Sequence, residues 1–371
     1  MILEDAKVFL NGHFVKKRIR FDSRFHEAAS ASPDEPVLHA KACLAIPGLI
    51  DLHTHAAVGA DASDGSPEGL AVLSRYYARN GVTSWCPTTM TYDEPVLTTA
   101  MKTIRDFVRP SDGAKAVGIH LEGPFISASK CGAQNPAYIT VPDIRLFHRL
   151  NEASGGRIRL ITLAPEAPGA IPFIREASRI CTVSLGHTEA DYATAMAAFQ
   201  AGASHLTHLF CAMTPSHHRS PGVIGAGFDA GATSELITDG LHVHPSFIRM
   251  AYRLFGERLI MISDSLRCAG MPDGEYELSG QSITMQGGRA VLTGTNTLAG
   301  SSISLLEGLR RAVSFGIPIE DAVLSATLAP AKVIGMDSEI GSIAPGKRAD
   351  LVLLDEELQV KAVFVEGRQL E

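Results

Sequence analysis

The sequence lacks the features that mark exported, membrane-bound or nucleic-acid-binding proteins. Its six cysteines are scattered without CxxC spacing, which is typical of a reduced, cytoplasmic protein. No apolar segment is long enough to cross a bilayer, so we expect no membrane partner. Residues 1–5 also lack the basic region followed by an apolar stretch that begins an export signal. The net charge of −7 comes with no prominent basic face, which argues against a nucleic acid partner.

What the chain does contain is a regular alternation of strand-like and helix-like segments. Of its 371 residues 45% are hydrophobic, which is enough for a large core. Helical stretches such as residues 67–80 and 190–201 lie between most of the strand-like segments. Because this alternation is typical of parallel sheets with helical crossovers, we predict an α/β fold in which residues 47–334 form a (β/α)8 TIM-like barrel. The predicted barrel strands are residues 48–52, 83–87, 116–121, 158–163, 182–185, 204–209, 234–238 and 259–262.

The two ends of the chain resemble each other in pattern. Residues 1–46 contain short alternating apolar stretches, and residues 349–354 and 360–365 continue that pattern on either side of an acidic turn. Neither end is long enough to bury a core alone. We therefore predict that residues 1–46 and 335–371 combine into one small β-sandwich domain beside the barrel.

Two histidines spaced by one residue follow the first predicted barrel strand. Side chains alternate across a strand, so His53 and His55 point the same way and can converge on one point. Imidazole pairs on a rigid strand end are suited to metal binding. The alternative is a structural or surface pair, although the position after an apolar strand favours the metal site.

Four later strand ends also carry metal-type or acid–base residues. Glu122 could be a metal ligand, a helix cap or an ion-pair partner; His187 and His208 could be ligands or hydrogen-bonded core histidines. Together the three form a set that leaves a coordination position open for water, as catalytic metals require. Asp264 could act as a general base beside that metal, or simply cap a turn. His205 would face away from His208 along a strand, so we interpret it as a structural residue or as one that supports the ligands from behind.

Arg219 and His242 have another possible role, because a guanidinium can hold a phosphate group in a bidentate fork and an imidazole can add a donor. A solvated loop cation is the alternative for Arg219.

Several motifs in a fixed order resemble the amidohydrolase superfamily and, within it, the N-acetylglucosamine-6-phosphate deacetylases. The similarity runs from about residue 46 to residue 347. The matching segments are PGLIDLHTH (47–55), HLEGPFIS (120–127), GAQNP (132–136), SLGHT (184–188), HLTHLFCAM (205–213), RSPG (219–222), TDGLHV (238–243), ISDS (262–265) and LAGSS (298–302).

The resemblance implies a role for each matching residue. Glu122, His187 and His208 would bind the main metal, His53 and His55 a second one, and Asp264 would be general base and then general acid. The cofactor would be one or two divalent ions per subunit. Zinc is the first candidate, and iron, manganese or cobalt are also compatible. The substrate-binding residues would be Arg219, His242, Cys211 and Ala212 for the phosphate, and Ala133, Gln134, Asp239, Leu298, Ala299 and Gly300 for the sugar.

The family's reaction would be hydrolysis of the acetamide of N-acetylglucosamine 6-phosphate to acetate and glucosamine 6-phosphate, in a homodimer whose phosphate pocket is completed by the neighbouring subunit. Gln134 stands where many members have histidine, and Cys211 stands where asparagine is usual. These departures leave open N-acetylgalactosamine 6-phosphate or another N-acyl compound as substrate. Cyclic-amide hydrolases of the superfamily fit less well, because they often use a carboxylated lysine where Glu122 stands. A non-catalytic scaffold is the remaining alternative, although every ligand position is filled.

Overall fold

A computed structural model describes residues 1–27 and 35–370, and its centre is a nearly closed barrel of eight parallel strands. Consecutive strands pair in parallel from first to eighth. The eighth strand returns to the first, where the Asp264 amide donates to the His53 carbonyl at 2.9 Å. The barrel strands are β1 (Leu49–Thr54), β2 (Val82–Thr89), β3 (Ile119–Glu122), β4 (Ile158–Leu163), β5 (Thr182–Leu185), β6 (His205–Leu206), β7 (Thr233–Ile237) and β8 (Leu259–Ile262).

Helices cover the outside of the barrel, and several begin at residues whose side chains satisfy free amides. Ser66 accepts from the Gly69 amide at the start of the first helix, and Asp191 accepts from the Thr194 amide at the start of the fifth. No helix within the described residues has the length and apolar character to cross a membrane. The helices are α1 (Pro67–Arg79), α2 (Glu94–Asp106), α3 (Ile144–Ala153), α4 (Ala170–Ala177), α5 (Tyr192–Ala201), α6 (Gly222–Asp229), α7 (Pro245–Phe255), α8 (Leu305–Ser314), α9 (Ile319–Ser325) and α10 (Leu328–Val333).

Both ends of the chain meet in a second, smaller β structure, as predicted. Leu351–Leu354 lies antiparallel between Leu44–Pro47 and Val360–Val365 in a six-stranded sheet completed by Lys7–Leu10, His13–Lys16 and Arg368–Gln369. A four-stranded sheet of Ile2–Glu4, Ile19–Phe21, Phe25–His26 and Val37–His39 shares an apolar core with it. The predicted fold class, a TIM-like barrel with a small β-sandwich from both termini, is confirmed; the exact domain bounds stay a prediction.

A three-stranded antiparallel sheet inserted after β8 covers the C-terminal face of the barrel. It consists of Gly274–Leu278, Gln281–Gln286 and Arg289–Leu292, a segment for which the sequence analysis predicts no strands. Its apolar side packs on Met90, Ala133 and Leu266. The Gln281 side chain donates to the Ala133 carbonyl at 2.7 Å, so the inserted sheet is joined to the loop that carries Gln134.

Six of the eight predicted strands lie within about two residues of the observed ones, and the sixth strand shows why strand ends are hard to predict. Residues 204–209 read as one apolar strand, but only His205–Leu206 is strand. The chain leaves the sheet because His208 has a φ of 27°, outside the extended region. Predicted strand 116–121 is likewise divided into Lys115–Ala116 and Ile119–Glu122.

Candidate metal centre and active site

Glu122, His187 and His208 converge at the C-terminal face of the barrel, from the ends of β3, β5 and β6. Glu122 Oε1 lies 3.2 Å from His187 Nε2 and 3.0 Å from His208 Nε2, and the two nitrogens are 3.1 Å apart. Ligand atoms around a tetrahedral ion with bonds of about 2.0–2.1 Å are separated by about 3.3 Å. The three side chains therefore have the spacing and the donor set of a divalent-metal site.

A second group of three residues adjoins the first. His53 Nε2 and His55 Nε2 are 3.1 Å apart, and Asp264 Oδ1 lies 3.5 Å and 3.3 Å from them, respectively. Glu122 lies between the two groups, with Oε1 3.3 Å from His53 Nε2 and Oε2 3.3 Å from His55 Nε2. One carboxylate can thus serve two neighbouring cations.

The backbone at the strand ends directs these side chains inward. His187, His208 and Asp264 have φ values of 47°, 27° and 48°, although residues with a side chain rarely adopt positive φ. Such conformations persist only where surrounding structure compensates for the strain, and they concentrate at functional sites. Three such residues at three strand ends indicate that the fold is built around this point.

Hydrogen bonds on the far side of the rings determine which nitrogen faces the centre. His187 Nδ1 donates to the Lys130 carbonyl at 2.8 Å, and His55 Nδ1 donates to the Thr88 carbonyl at 3.2 Å. Because a carbonyl can only accept, the proton of each neutral ring lies on Nδ1 and the lone pair on Nε2. Lone pairs that converge this closely can be bridged by a metal ion, so the residues present fit one.

The buried carboxylates give the centre a negative field. Burial alone would raise the pKa of Glu122 and of Asp264, but the neighbouring histidines outweigh it and hold both pKa values below their usual range. Burial disfavours the charged form of His55, yet its contacts with Asp264 and Glu122 raise its pKa to about 9. These pKa shifts have one cause, because buried carboxylates and the neighbouring rings stabilise each other's charged forms.

The centre forms the floor of a cavity of about 510 Å³, large enough for a phosphorylated sugar. Among the residues predicted to bind substrate, seven line it: Ala133, Gln134, Cys211, Ala212, His242, Leu298 and Gly300. Ala299 is fully buried, and Asp239 lies behind His242, where its Oδ2 accepts from His242 Nδ1 at 2.7 Å.

Arg219 is not among the residues that line the cavity of the single chain. It lies on an exposed loop, where its guanidinium contacts His218 at 2.8 Å. A single copy of the chain therefore does not bring Arg219 to the cavity wall.

Gln134 contacts the metal-type carboxylate directly. Its Nε2 donates to Glu122 Oε2 at 2.6 Å, and its Oε1 accepts from the Thr91 amide at 2.7 Å. The second N–H of the amide group remains free to donate into the cavity. Gln134 thus orients Glu122 in addition to lining the cavity, a contact that the sequence analysis does not predict.

Further residues lie around and beneath the centre that were not predicted from the sequence. Lys130, Met90 and Leu278 line the cavity but come from loops and from the inserted sheet. Glu235 and His120 lie fully buried below the centre, on β7 and β3. An acidic residue in the middle of a predicted barrel strand is the one signal that could have identified Glu235.

Comparisons with known proteins agree with this geometry. The family model described as "Amidohydrolase family" matches residues 44–370. N-acetylgalactosamine-6-phosphate deacetylase of Escherichia coli O157:H7 is 39% identical over 88% of this chain and 87% of that protein. N-acetylglucosamine-6-phosphate deacetylase of Bacillus subtilis (strain 168) is 37% identical over 93% of this chain and 90% of that protein.

Solved structures give the same result. An N-acetyl-D-glucosamine-6-phosphate deacetylase mutant of Mycobacterium smegmatis, in complex with N-acetyl-D-glucosamine-6-phosphate, superposes with a TM-score of 0.92 at 33% identity, covering 100% of this chain and 99% of that one. The Pasteurella multocida enzyme gives a TM-score of 0.93 at 28% identity over 99% and 98% of the two chains. The chain therefore belongs to the amidohydrolase family and, within it, to the N-acetylglucosamine-6-phosphate deacetylases.

Proposed function

We propose that this protein hydrolyses the acetamide of N-acetylglucosamine 6-phosphate, giving acetate and glucosamine 6-phosphate. The observation that carries the proposal is the convergence of Glu122, His187 and His208 within 3.2 Å of one another, with Asp264 beside them, at the floor of a sugar-sized cavity. The family membership and the named activities of its relatives support the same reaction.

Glu122, His187 and His208 would hold the main divalent ion, and His53 and His55 with Asp264 would hold a second. When bound, the ion supplies Lewis acidity, which polarises the amide carbonyl and eases deprotonation of the attacking water. Imidazole and carboxylate donors suit zinc, the first candidate, and also iron, manganese or cobalt.

Asp264 would move the protons of the reaction. Its pKa is held below the usual range because the effect of burial is outweighed by His53 and His55, so the carboxylate is ionised at neutral pH and can accept a proton from water. The same group can then donate that proton to the leaving amine nitrogen. The free N–H of Gln134 would donate to the developing oxyanion, while its other contacts hold Glu122 in place.

The sugar phosphate would be held by His242, which Asp239 orients, and by the backbone at Cys211 and Ala212. Ala133 and the Leu298–Gly300 segment would contact the sugar ring. Binding the phosphate away from the carbonyl fixes the orientation of the amide against the centre.

Arg219 would be supplied by a second copy of the chain, which makes the functional unit a homodimer. Helix α7 exposes Phe247, Met250 and Leu254 on one side, each 47–51% exposed. This apolar stripe reaches the cavity, because the Phe247 ring packs on Phe210, a lining residue, at 5.4 Å. A partner on the stripe would therefore border the cavity mouth, where the partner's exposed guanidinium could reach the phosphate.

Met250→Glu is expected to convert the dimer to a monomer, because it buries a charge in the apolar stripe. Loss of an arginine–phosphate contact should raise KM for the phosphorylated sugar about 10- to 100-fold with a smaller change in kcat. Light scattering and steady-state kinetics give the two readouts. Val108→Glu, at a residue 86% exposed on another surface, is the matched control. A monomer with unchanged KM would rule out a contribution from the neighbouring copy.

The C4 epimer, N-acetylgalactosamine 6-phosphate, is the second candidate substrate. A relative with that named activity is 39% identical to this chain, and Gln134 and Cys211 depart from the usual residues of N-acetylglucosamine-6-phosphate deacetylases. We also propose a cytoplasmic location, which six free cysteines support.

An acetate-release assay with both epimers, each with and without the 6-phosphate, tests the proposal. We expect the highest kcat/KM with N-acetylglucosamine 6-phosphate, and a large loss when the phosphate is absent. A chelator should abolish release, and the divalent ion should restore it. Preference for the galactose epimer would replace the first candidate by the second. No release from any N-acetylated sugar by the metal-loaded protein would favour a non-catalytic scaffold.

A further inference from the structure

Glu235 is a buried acid that the proposed reaction does not use. It lies on β7 beneath the candidate metal centre, and its side chain is fully inaccessible to solvent. TIM-barrel interiors are usually filled by branched apolar side chains, so an acid at this position is costly unless its charge is compensated.

The carboxylate contacts two of the proposed ligands. Glu235 Oε2 lies 2.8 Å from His53 Nδ1 and accepts from the His208 amide at 3.2 Å. Because a carboxylate accepts, the proton of a neutral His53 ring lies on Nδ1, and the Nε2 lone pair faces His55 and Asp264. His208 belongs to the other group of ligands, so one oxygen of Glu235 touches both halves of the centre.

We propose that Glu235 is a positioning residue, which holds the His53 ring with Nε2 directed at the second ion of the proposed centre. This inference rests on the proposed function in its assignment of the metal ligands. Glu235 itself touches neither substrate nor ion.

The neighbouring His120 does not offer an alternative site for the second ion. His53, His120 and Glu235 also lie close enough together to suggest one. However, His120 Nδ1 donates to the Leu52 carbonyl at 3.2 Å and Nε2 lies 2.8 Å from the Thr162 hydroxyl, so both ring nitrogens are already used. An ion there would also displace the proton that joins His53 to Glu235. The second ion therefore belongs above His53, not below it.

The burial of three carboxylates at one point also favours bound cations. Glu122, Asp264 and Glu235 are all buried, and a buried charge is unfavourable unless it is paired. Glu235 is paired with His53 Nδ1 and lies 3.3 Å from His205 Nε2, whereas Glu122 and Asp264 face the ligand nitrogens and would be balanced by the ions.

Glu235→Gln separates this role from a structural one, because it keeps the shape of the side chain. After removal of all metal, titration with Mn²⁺ alone should show two ions per wild-type chain. In the variant the second dissociation constant should rise about 10- to 100-fold, as for other residues that orient ligands, while the first changes by less than about 3-fold. Electron paramagnetic resonance adds a signature, since the spectrum of a coupled Mn²⁺ pair should give way to that of a single ion.

Asp51→Asn is the matched control. Asp51 is another buried acid of the barrel interior, but its carboxylate accepts from the His53 and Ser263 amides at 3.3 Å, and no ring nitrogen lies among its hydrogen bonds. This variant should keep both ions. Glu235→Asp retains the charge and should bind the second ion with an affinity between those of wild type and Glu235→Gln; it also serves if the glutamine variant does not fold.

Three outcomes would overturn the inference: one ion per wild-type chain, two tightly held ions in Glu235→Gln, or equal weakening of both ions in Glu235→Gln. Failure of the proposed function looks different, since a protein without acetate release can still bind two ions in the expected manner. Conversely, an active wild-type enzyme with a single ion would contradict this inference and leave the function intact.

Discussion

Glu122→Gln should yield a folded protein that binds almost no metal and has lost activity at least about 10³-fold, since Lewis acid assistance contributes several kcal/mol to such reactions. Glu122 Oε1 lies within 3.3 Å of His53, His187 and His208, and Oε2 lies 3.3 Å from His55. Among the described residues, Glu122 is the carboxylate whose oxygens lie within 3.3 Å of ring nitrogens from both halves of the centre. Removing its charge therefore weakens both ions at once.

Elemental analysis of the purified variant gives the metal content, and acetate release gives the activity. Thermal unfolding in the presence of a chelator separates a lost ligand from a damaged fold. Without metal, the Glu122 carboxylate is balanced by positive charge on the neighbouring histidines, since it helps to raise the pKa of His55 to about 9. Glu122→Gln should therefore still unfold in one cooperative transition, at a temperature equal to or below that of the wild type. Glu94→Gln, which removes an exposed acid paired with Arg149, should leave metal content and activity unchanged. Full metal content in Glu122→Gln would contradict its assignment as the shared ligand.

The sequence predicted the barrel well because buried parallel strands are continuous apolar runs, and because crossover helices separate them at regular intervals. The sequence also predicted His53, His55, Glu122, His187 and Asp264 as candidate site residues, since each is a polar residue where an apolar strand ends, and the structure brings them together. That signal depends only on local sequence and on the rule that barrel chemistry lies at the carboxyl ends of strands.

What the sequence could not provide are contacts between residues far apart in the chain. Glu235 is 182 positions from His53, and no local pattern relates them. The bond from Gln134 to Glu122 depends on how a loop folds back over β3, and the inserted sheet at 274–292 lacks the apolar continuity of the barrel strands. The exposed position of Arg219 could not be predicted for a different reason, because its proposed role requires a second copy of the chain.

Asp264→Asn should retain the main metal ion but reduce kcat about 10³-fold or more, with little change in KM. Each proton transfer by a well-placed acid or base is worth about 10²- to 10⁴-fold, and Asp264 is proposed to carry out two in one turnover. Its Oδ1 lies 3.3–3.5 Å from the His55 and His53 rings, not among Glu122, His187 and His208, so the main ligand set stays complete. An asparagine amide keeps the shape of the side chain but cannot accept the proton of water.

Asp239→Asn is the comparison that makes this prediction specific. Asp239 is also a buried carboxylate at a strand end, but it holds His242, which is proposed to contact the phosphate. Weakening that contact should raise KM about 10-fold and leave kcat within about 3-fold, the pattern expected when binding rather than chemistry is affected. Opposite kinetic effects of two conservative substitutions in one cavity would assign proton transfer to Asp264 and substrate binding to His242. Near-normal turnover by Asp264→Asn would instead require another base, and among the described residues that line the cavity no carboxylate other than Glu122 is available.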